Sequence, residues 1–397
     1  MRTLRTLRGV DVKGKRVLLR VDCNVAVDDD GRPLSGAEQR LEAILPTIQH
    51  LQSEGARVIL LSHLGRPGGK VVESLRLDDV ARQLSVLLNT PVRYIPEVGG
   101  PDVCARVEQM QDGDIALLEN LRFDPGEERA DLAFADALAS LGDLVVQDAF
   151  SVSHRSHASV AVLPRLRPSY AGFLVEREVD VLQRILVNPE RPAIAIIGGA
   201  KLETKLALLK TLLPRVDHLL TGGGVANTFL RLSGSPIGTG LVETHPFPDV
   251  SALLSESLDK LHLPTDVHVI RGGQSRDARI IPVGALTPAD DVRDIGPETA
   301  LAYCRVIATS KTCIWNGPLG QFETLPFGEG TRRVAHCIRN ADAFSVVGGG
   351  DTVRALSEMG LLSAFDHVST GGGAMLAFLE GAPMPGLEPL YTPLETA

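Results

Sequence analysis

Short apolar, β-branched runs recur along this chain, separated by longer stretches whose apolar positions repeat with helical spacing. Strands are predicted at 16–21 (RVLLRV), 57–62, 114–118, 143–148, 193–198, 216–221, 266–270, 312–316 and 343–348. Helices are predicted over 37–54, 77–88, 131–141, 201–213, 249–262, 297–309, 331–340 and 353–360. Strands that are apolar throughout are buried on both faces, and strands that alternate with helices pair in parallel. The pattern therefore predicts an α/β fold of doubly wound, Rossmann-like parallel sheets with helices on both faces.

The alternation breaks over 164–192. There the amphipathic stretch LVEREVDVLQRIL (174–186) is bracketed by Pro164, Pro168, Pro189 and Pro192, and reads as a helical hinge between two halves. With 397 residues the chain exceeds what a single core fills, so two domains are expected, 1–172 and 173–384. The tail beyond Pro383 carries Pro385, Pro389 and Pro393 and no periodicity. It is expected to be extended, either frayed or packed back on the other domain over 385–397.

Four glycine clusters lie where a strand should hand over to a helix: IIGGAK (196–201), TGGGVANTF (221–229), VVGGGDT (346–352) and STGGGA (369–374). Glycine allows close backbone approach and a helix N-terminus offers free N–H groups, which together suit phosphate. Neither GxxxxGK[ST] nor GxGxxG is present. Asp351 beside such a loop would repel phosphates unless Mg²⁺ lay between them, so it is a metal candidate; capping the helix 353–360 is its other reading. Lys201 and Lys205 fall four apart at a predicted helix start, where cations oppose the helix dipole unless an anion binds; a solvated face is the alternative.

The N-terminal half carries basic islands at predicted strand ends instead: Arg20 to Asn24, SHLGRP (62–67), ENLRF (119–123) and DAFSVSHRSH (148–157). Any one of these arginines would serve as a surface ion pair. Four strand ends converging on one crevice suggest a clamp for carboxylate and phosphate. His154 and His157 have no further ligand at zinc spacing. One half thus reads as built for a nucleotide, the other for a small, doubly anionic substrate.

Bulk properties narrow the partners. A net charge of −9 argues against nucleic acid, and no apolar run of about 18 residues suggests a membrane span. The N-terminal segment MRTLRTLRGVDVKGKR lacks the apolar core of a signal peptide, so a cytoplasmic location is expected. The five cysteines are scattered and odd in number, which suggests reduced, mostly buried thiols rather than a disulfide framework or zinc site.

The blocks RVDCNVAV, LLSHLGRP, LLENLRF, HRSHAS, GGAKLETK, GGGVANTF, WNGPLGQFE, SVVGGGDT and STGGGA resemble, in order, the signature blocks of the phosphoglycerate kinase family. The resemblance runs from about residue 3 to residue 390. It implies a bilobed, monomeric glycolytic enzyme that transfers phosphate from 1,3-bisphosphoglycerate to Mg-ADP, giving 3-phosphoglycerate and Mg-ATP. It implies that Asp22, Asn24, Arg40, His63, Leu64, Gly65, Arg66, Arg122 and Arg155 bind the glycerate substrate. On the nucleotide side it implies Lys205, Asn316, Glu323, Gly349, Gly350, Asp351 and Thr352, with Asp351 at Mg²⁺. Arg40, Lys201, Gly371 and Gly372 would face the migrating phosphoryl group. Cys23, Ala26, Gln147, Ser151, Gln321 and the stretch 267–274 depart from the family pattern, and bear on hinge packing and the adenine pocket rather than on a charged ligand. A catalytically silent binding protein is disfavoured by the presence of Arg40, Lys201, Lys205 and Asp351, and a dehydrogenase by the missing GxGxxG.

Overall fold

The computed structural model describes residues 3–28, 32, 38–243, 259–271 and 277–392. They form two compact units, Met1–Asp180 with Ala382–Ala397, and Val181–Gly381.

The first unit is built on β1 (Arg16–Arg20), β2 (Arg57–Leu61), β3 (Val92–Ile95), β4 (Ile115–Leu118), β5 (Leu144–Gln147) and β6 (Ser169–Ala171), in the order β3-β4-β2-β1-β5-β6. Every pairing is parallel. Alternate residues serve opposite faces, as strand geometry requires. Val17, Leu19, Val58, Leu60 and Val146 enter one apolar core, while Leu18, Ile59, Leu61 and Val145 enter another. Both faces are dry, which is why these strands read as unbroken apolar runs.

The second unit carries β7 (Ala193–Ile197), β8 (His218–Thr221), β9 (Leu261–His262), β10 (Asp266–Ile270), β11 (Arg279–Pro282), β12 (Asp291–Ile295), β13 (Thr312–Asn316), β14 (Phe344–Gly348) and β15 (His367–Val368). Its main sheet, β15-β14-β13-β7-β8-β9, is parallel throughout. The strand predicted at 266–270 belongs instead to a small antiparallel sheet, β11-β10-β12. Residues 271–278 between β10 and β11 are too few for a parallel crossover, which needs about a dozen.

The helix predicted over 37–54 is two, Glu38–Glu42 and Leu45–Ser53, with Pro46 in the first turn of the second. Proline lacks the N–H that would continue a single helix through this point. Residues 249–258 of another predicted helix lie outside the described residues, and Leu261–His262 at its end form β9. The helix Phe173–Val187 contains the boundary between the units.

The tail packs on the first unit: Arg5 N donates to Leu390 O at 2.8 Å, Thr392 N to Thr3 O at 2.9 Å, and Gly386 N to Ser153 O at 2.9 Å. Residues 393–397 are outside the described set. Among the described residues no helix is long and apolar enough to cross a membrane.

One expectation fails outright. Cys304 and Cys337 form a disulfide, with Cα atoms 5.4 Å apart, joining the helices Pro297–Ile307 and Glu329–Arg339; Cys23, Cys104 and Cys313 are free. The pairing spans 33 residues and depends on two helices meeting, so no local spacing announces it.

Candidate active site

In the first unit the chain leaves β1 for β2 on one side of the sheet and later returns to place β5 on the other. The loops after β1 and β5 therefore diverge, opening the crevice that such sheets use for ligands. Asp22 follows β1 directly. Its Oδ2 accepts from Arg40 Nη1 and Ser151 Oγ, and its Oδ1 from the Asn24 N–H at 3.0 Å. Burial alone would raise its pKa, but the Arg40 guanidinium and these donors hold it below the usual range.

Asn24 Oδ1 accepts from Gly65 N at 2.8 Å, and Arg122 Nη1 donates to Gly65 O at 2.7 Å. Asn120 Nδ2 donates to Leu64 O at 2.7 Å, so the 64–65 backbone is held from three sides. Nδ1 of the buried His63 faces Arg20 Nη2 at 3.1 Å. The structure thus joins Asp22 to Arg40, and Asn24, Gly65 and Arg122 to one another.

Arg66 is exposed and Arg155 half-exposed, and neither has an ion pair among the described residues. The Arg155 charge acts on Arg122, His154 and His157. Burial, then Arg122 and Arg155, push the His157 pKa down to about 4. Among the described residues Arg122 forms one ion pair, its buried Nε lying 3.3 Å from Glu128 Oε1 without a hydrogen bond, and Glu127 acts on it more weakly. An anion is the missing partner that such a set of cations calls for.

In the second unit β7 is the pivot, with β8 on one side and β13 on the other. The loops after β7 and β13 touch backbone to backbone: a Cβ on Gly317, whose φ is +96°, would lie 2.1 Å from Gly198 O. Lys205 Nζ donates to Asn316 Oδ1 at 2.5 Å, and Asn316 Nδ2 to Gly348 O at 2.8 Å. Burial lowers the Lys205 pKa, with Glu380 and Asp351 opposing the shift. Thr352 Oγ1 accepts from Gly317 N at 2.7 Å. Gly349, at φ +103°, caps the helix Gly350–Glu358, and a Cβ there would meet Asn316 Nδ2 at 2.7 Å.

The helix Gly372–Leu379 starts beside it, its Gly372 packed against Gly349 and Gly350. Gly371 N donates to Ser369 Oγ at 3.3 Å. A cavity of about 410 Å³ is lined by Gly199, Gly223, Val292, Phe322, Glu323 and Asp351, among others. Glu323 Oε1 accepts from Arg354 at 2.5 Å.

Two local readings change. The cap of the helix Gly350–Glu358 is Gly349, and Asp351, in its first turn, makes no capping bond and no contact with a cation among the described residues. The helix after β7 begins only at Leu206, behind a 3₁₀ turn at Glu203–Lys205, so Lys201 and Lys205 do not share a helix face. Lys201 is exposed and unpaired among the described residues.

Sequence reasoning missed several groups that shape these sites. Ser151, a departure from the family pattern, bonds Asp22, and Gln321, another, accepts from Arg293 beside the cavity. Arg20 ends β1 as a crevice residue would, yet its side chain is wholly buried. The burial of Asp294, whose carboxylate accepts from Ile295 N and Gly330 N and whose pKa is raised by burial, had no sequence signal beyond an acidic residue in a β-like run.

Two doubly wound units, one holding unpaired arginines at its strand ends and the other tight glycine loops around a nucleotide-sized cavity, define a two-domain phosphotransferase. A model of the phosphoglycerate kinase family matches residues 7–382. The phosphoglycerate kinase of Thermomicrobium roseum is 47% identical over 388 residues, covering 97% of this chain and 98% of that one. That of Roseiflexus castenholzii is 46% identical over 393 residues, with the same coverage. The solved phosphoglycerate kinase structure from Coxiella burnetii superposes with a TM-score of 0.88 at 37% identity, covering 98% of this chain and 99% of that one. The enzyme from Pyrococcus horikoshii OT3 gives 0.83 at 32%, covering 98% of each. The chain belongs to the phosphoglycerate kinase family, phosphotransferases of glycolysis that use ADP and ATP with Mg²⁺.

Proposed function

We propose that this chain, as a cytoplasmic monomer, carries out the reversible phosphoryl transfer between 1,3-bisphosphoglycerate and ADP with the residues described above. Residues 1–172 bind the glycerate substrate and 173–384 the nucleotide. Asp22 and Asn24 take the glycerate end, and Arg40, His63, Arg66, Arg122 and Arg155 its carboxyl and phosphate groups, with the Leu64–Gly65 backbone holding the pocket's shape. Lys205, held by Asn316, meets the nucleotide phosphates, together with the amides and side chains of Gly349, Gly350, Asp351 and Thr352. Glu323 receives the ribose hydroxyls. Arg40, Lys201 and the amides of Gly371 and Gly372 face the migrating group.

The acceptor oxygen is already ionised in either direction, so no general base is needed. Positioning and charge neutralisation supply the catalysis, which suits a site of arginines, lysines and amides. Asp351 fits a divalent cation: it is an exposed carboxylate beside the glycine loop, with no hydrogen bond or ion pair among the described residues. Mg²⁺, when bound with the nucleotide, neutralises phosphate charge. Closure of the hinge at residues 170–190 brings the half-sites together and excludes water from an acyl phosphate that hydrolyses readily.

The observation that carries this reading is the pair of unpaired arginines, Arg66 and Arg155, at strand ends in a family member. The test is coupled detection of ATP formed from ADP and 1,3-bisphosphoglycerate, with small-angle scattering expected to show compaction when both 3-phosphoglycerate and Mg-nucleotide are bound and less with either alone. Failure to form ATP from that pair overturns the reading, and an unchanged radius of gyration beside full activity overturns closure.

A further inference from the structure

Arg20 is the largest charged side chain sealed inside the first unit, and its three donor groups all have fixed partners. Nε donates to Ser159 Oγ at 2.9 Å, Nη1 to the carbonyl of Val21, and Nη2 reaches His63 Nδ1 at 3.1 Å. Ser159 in turn donates its hydroxyl to Glu127 Oε1 at 2.6 Å and its N–H to Glu127 Oε2 at 2.8 Å. Glu127 is wholly buried as well. The guanidinium is therefore anchored at one end by a buried carboxylate, one hydroxyl removed, and meets the imidazole at the other.

A guanidinium has donors and no acceptor. Nδ1 of His63 must accept, so its proton sits on Nε2 and the ring is neutral. Nε2 has no protein partner among the described residues. We propose that Arg20, anchored by Ser159 and Glu127, is a positioning residue that fixes His63 as the Nε2–H tautomer, giving the glycerate substrate a permanent N–H donor. This rests on the reading of His63 as a substrate ligand. Adding a proton to Nδ1 would set two donors face to face. The groups that face the ring are Arg20, Asp22, Arg122 and His157, and burial followed by Arg20 holds the His63 pKa well below its ordinary value against the opposing pull of Asp22.

The test is long-range proton–nitrogen correlation on nitrogen-15-labelled protein without ligand from pH 5.5 to 8.5, with the His63 signals assigned by their loss in His63→Gln. The parent should show the Nε2–H tautomer throughout. In Arg20→Met, His63 should titrate within that window or populate the Nδ1–H form. The affinity for 3-phosphoglycerate, taken as the ratio of variant to parent so that the ligand's own ionisation cancels, should fall about tenfold and become pH-dependent. Arg20→Met/Glu127→Gln, which removes both buried charges, gives the same readout if the single variant does not fold. An imidazolium or Nδ1–H tautomer in the parent, or an unaltered Nε2–H signal in the Arg20 variants, overturns the proposal. Unchanged 3-phosphoglycerate affinity in His63→Gln would instead overturn the ligand role of His63.

Discussion

Lys205 donates to the Oδ1 of Asn316 at 2.5 Å while the amide of Asn316 holds the carbonyl of Gly348 at 2.8 Å. The lysine is largely buried and has no salt-bridge partner among the described residues. Its charge is thus aimed from the 3₁₀ turn Glu203–Lys205 after β7 toward the glycine turn after β14, with a neutral amide as its hydrogen-bond partner among the described residues. Glu380 and Asp351 act on it without forming an ion pair among the described residues, and a nucleotide phosphate would supply a counter-charge in direct contact.

Arg40→Ala is expected to lower turnover by roughly 10²–10⁴, the cost of losing a charge-assisted contact made to the transferring group. Asp22 would keep Ser151 and the Asn24 N–H, so the first unit should still fold. Turnover by the coupled assay and ADP affinity by calorimetry check this; activity within tenfold of the parent contradicts it.

Asp351→Ala is expected to weaken Mg-ADP binding far more than metal-free ADP binding, because the carboxylate makes no structural bond within its helix. Titrations with and without Mg²⁺ decide it. Equal losses would mean that Asp351 does not meet the metal.

Much of the architecture was legible because a strand buried on both faces has to be apolar along its whole length. β1, β2, β5, β7, β13 and β14 are apolar through their middles, with any polar residues toward their ends, and lie at or beside the centres of their sheets. β3 (VRYI), β11 (RIIP) and β12 (DVRDI) were not found, since short strands at a sheet edge or in a half-exposed sheet carry charges and proline. The site residues stood out as polar groups ending apolar runs. Arg20 has the same sequence signature as Asp22, and only packing shows that its side chain turns inward to Ser159 and His63. The disulfide was hidden because helix packing, not spacing, brings Cys304 to Cys337.

Asp148 sits at the N-terminus of the helix Phe173–Val187, its Oδ1 accepting from Leu174 N at 2.9 Å and Val175 N at 3.2 Å. Burial pushes its pKa up to about 7 from an ordinary 3.8. A raised folded-state pKa contributes stability that is complete below 3.8 and lost as pH rises through 7. Asp148→Asn keeps an acceptor and never ionises, so its stability relative to the parent should rise between pH 4 and 7 and level off above. Urea midpoints across that range measure it; a pH-independent gap contradicts the assignment.

Of five cysteines, the one disulfide leaves three thiols, so denatured, unreduced protein should titrate three and reduced protein five. Closing a span of 33 residues is worth roughly 3–4 kcal/mol by loop entropy, and Cys304→Ser should lose stability on that order. Five thiols before reduction would contradict the pairing.

The central claim is a division of labour, with the glycerate substrate held by the first unit and the nucleotide by the second. The most direct measurement is calorimetric titration of 3-phosphoglycerate and of Mg-ADP, separately, into Arg155→Ala and Lys205→Met. Losing a charged contact costs roughly 1.5–3 kcal/mol, or about tenfold to a hundredfold in affinity. Arg155→Ala should lose that much for 3-phosphoglycerate and stay within twofold for Mg-ADP, and Lys205→Met should do the reverse. Losses of both ligands in either variant, or the opposite pairing, would contradict the account.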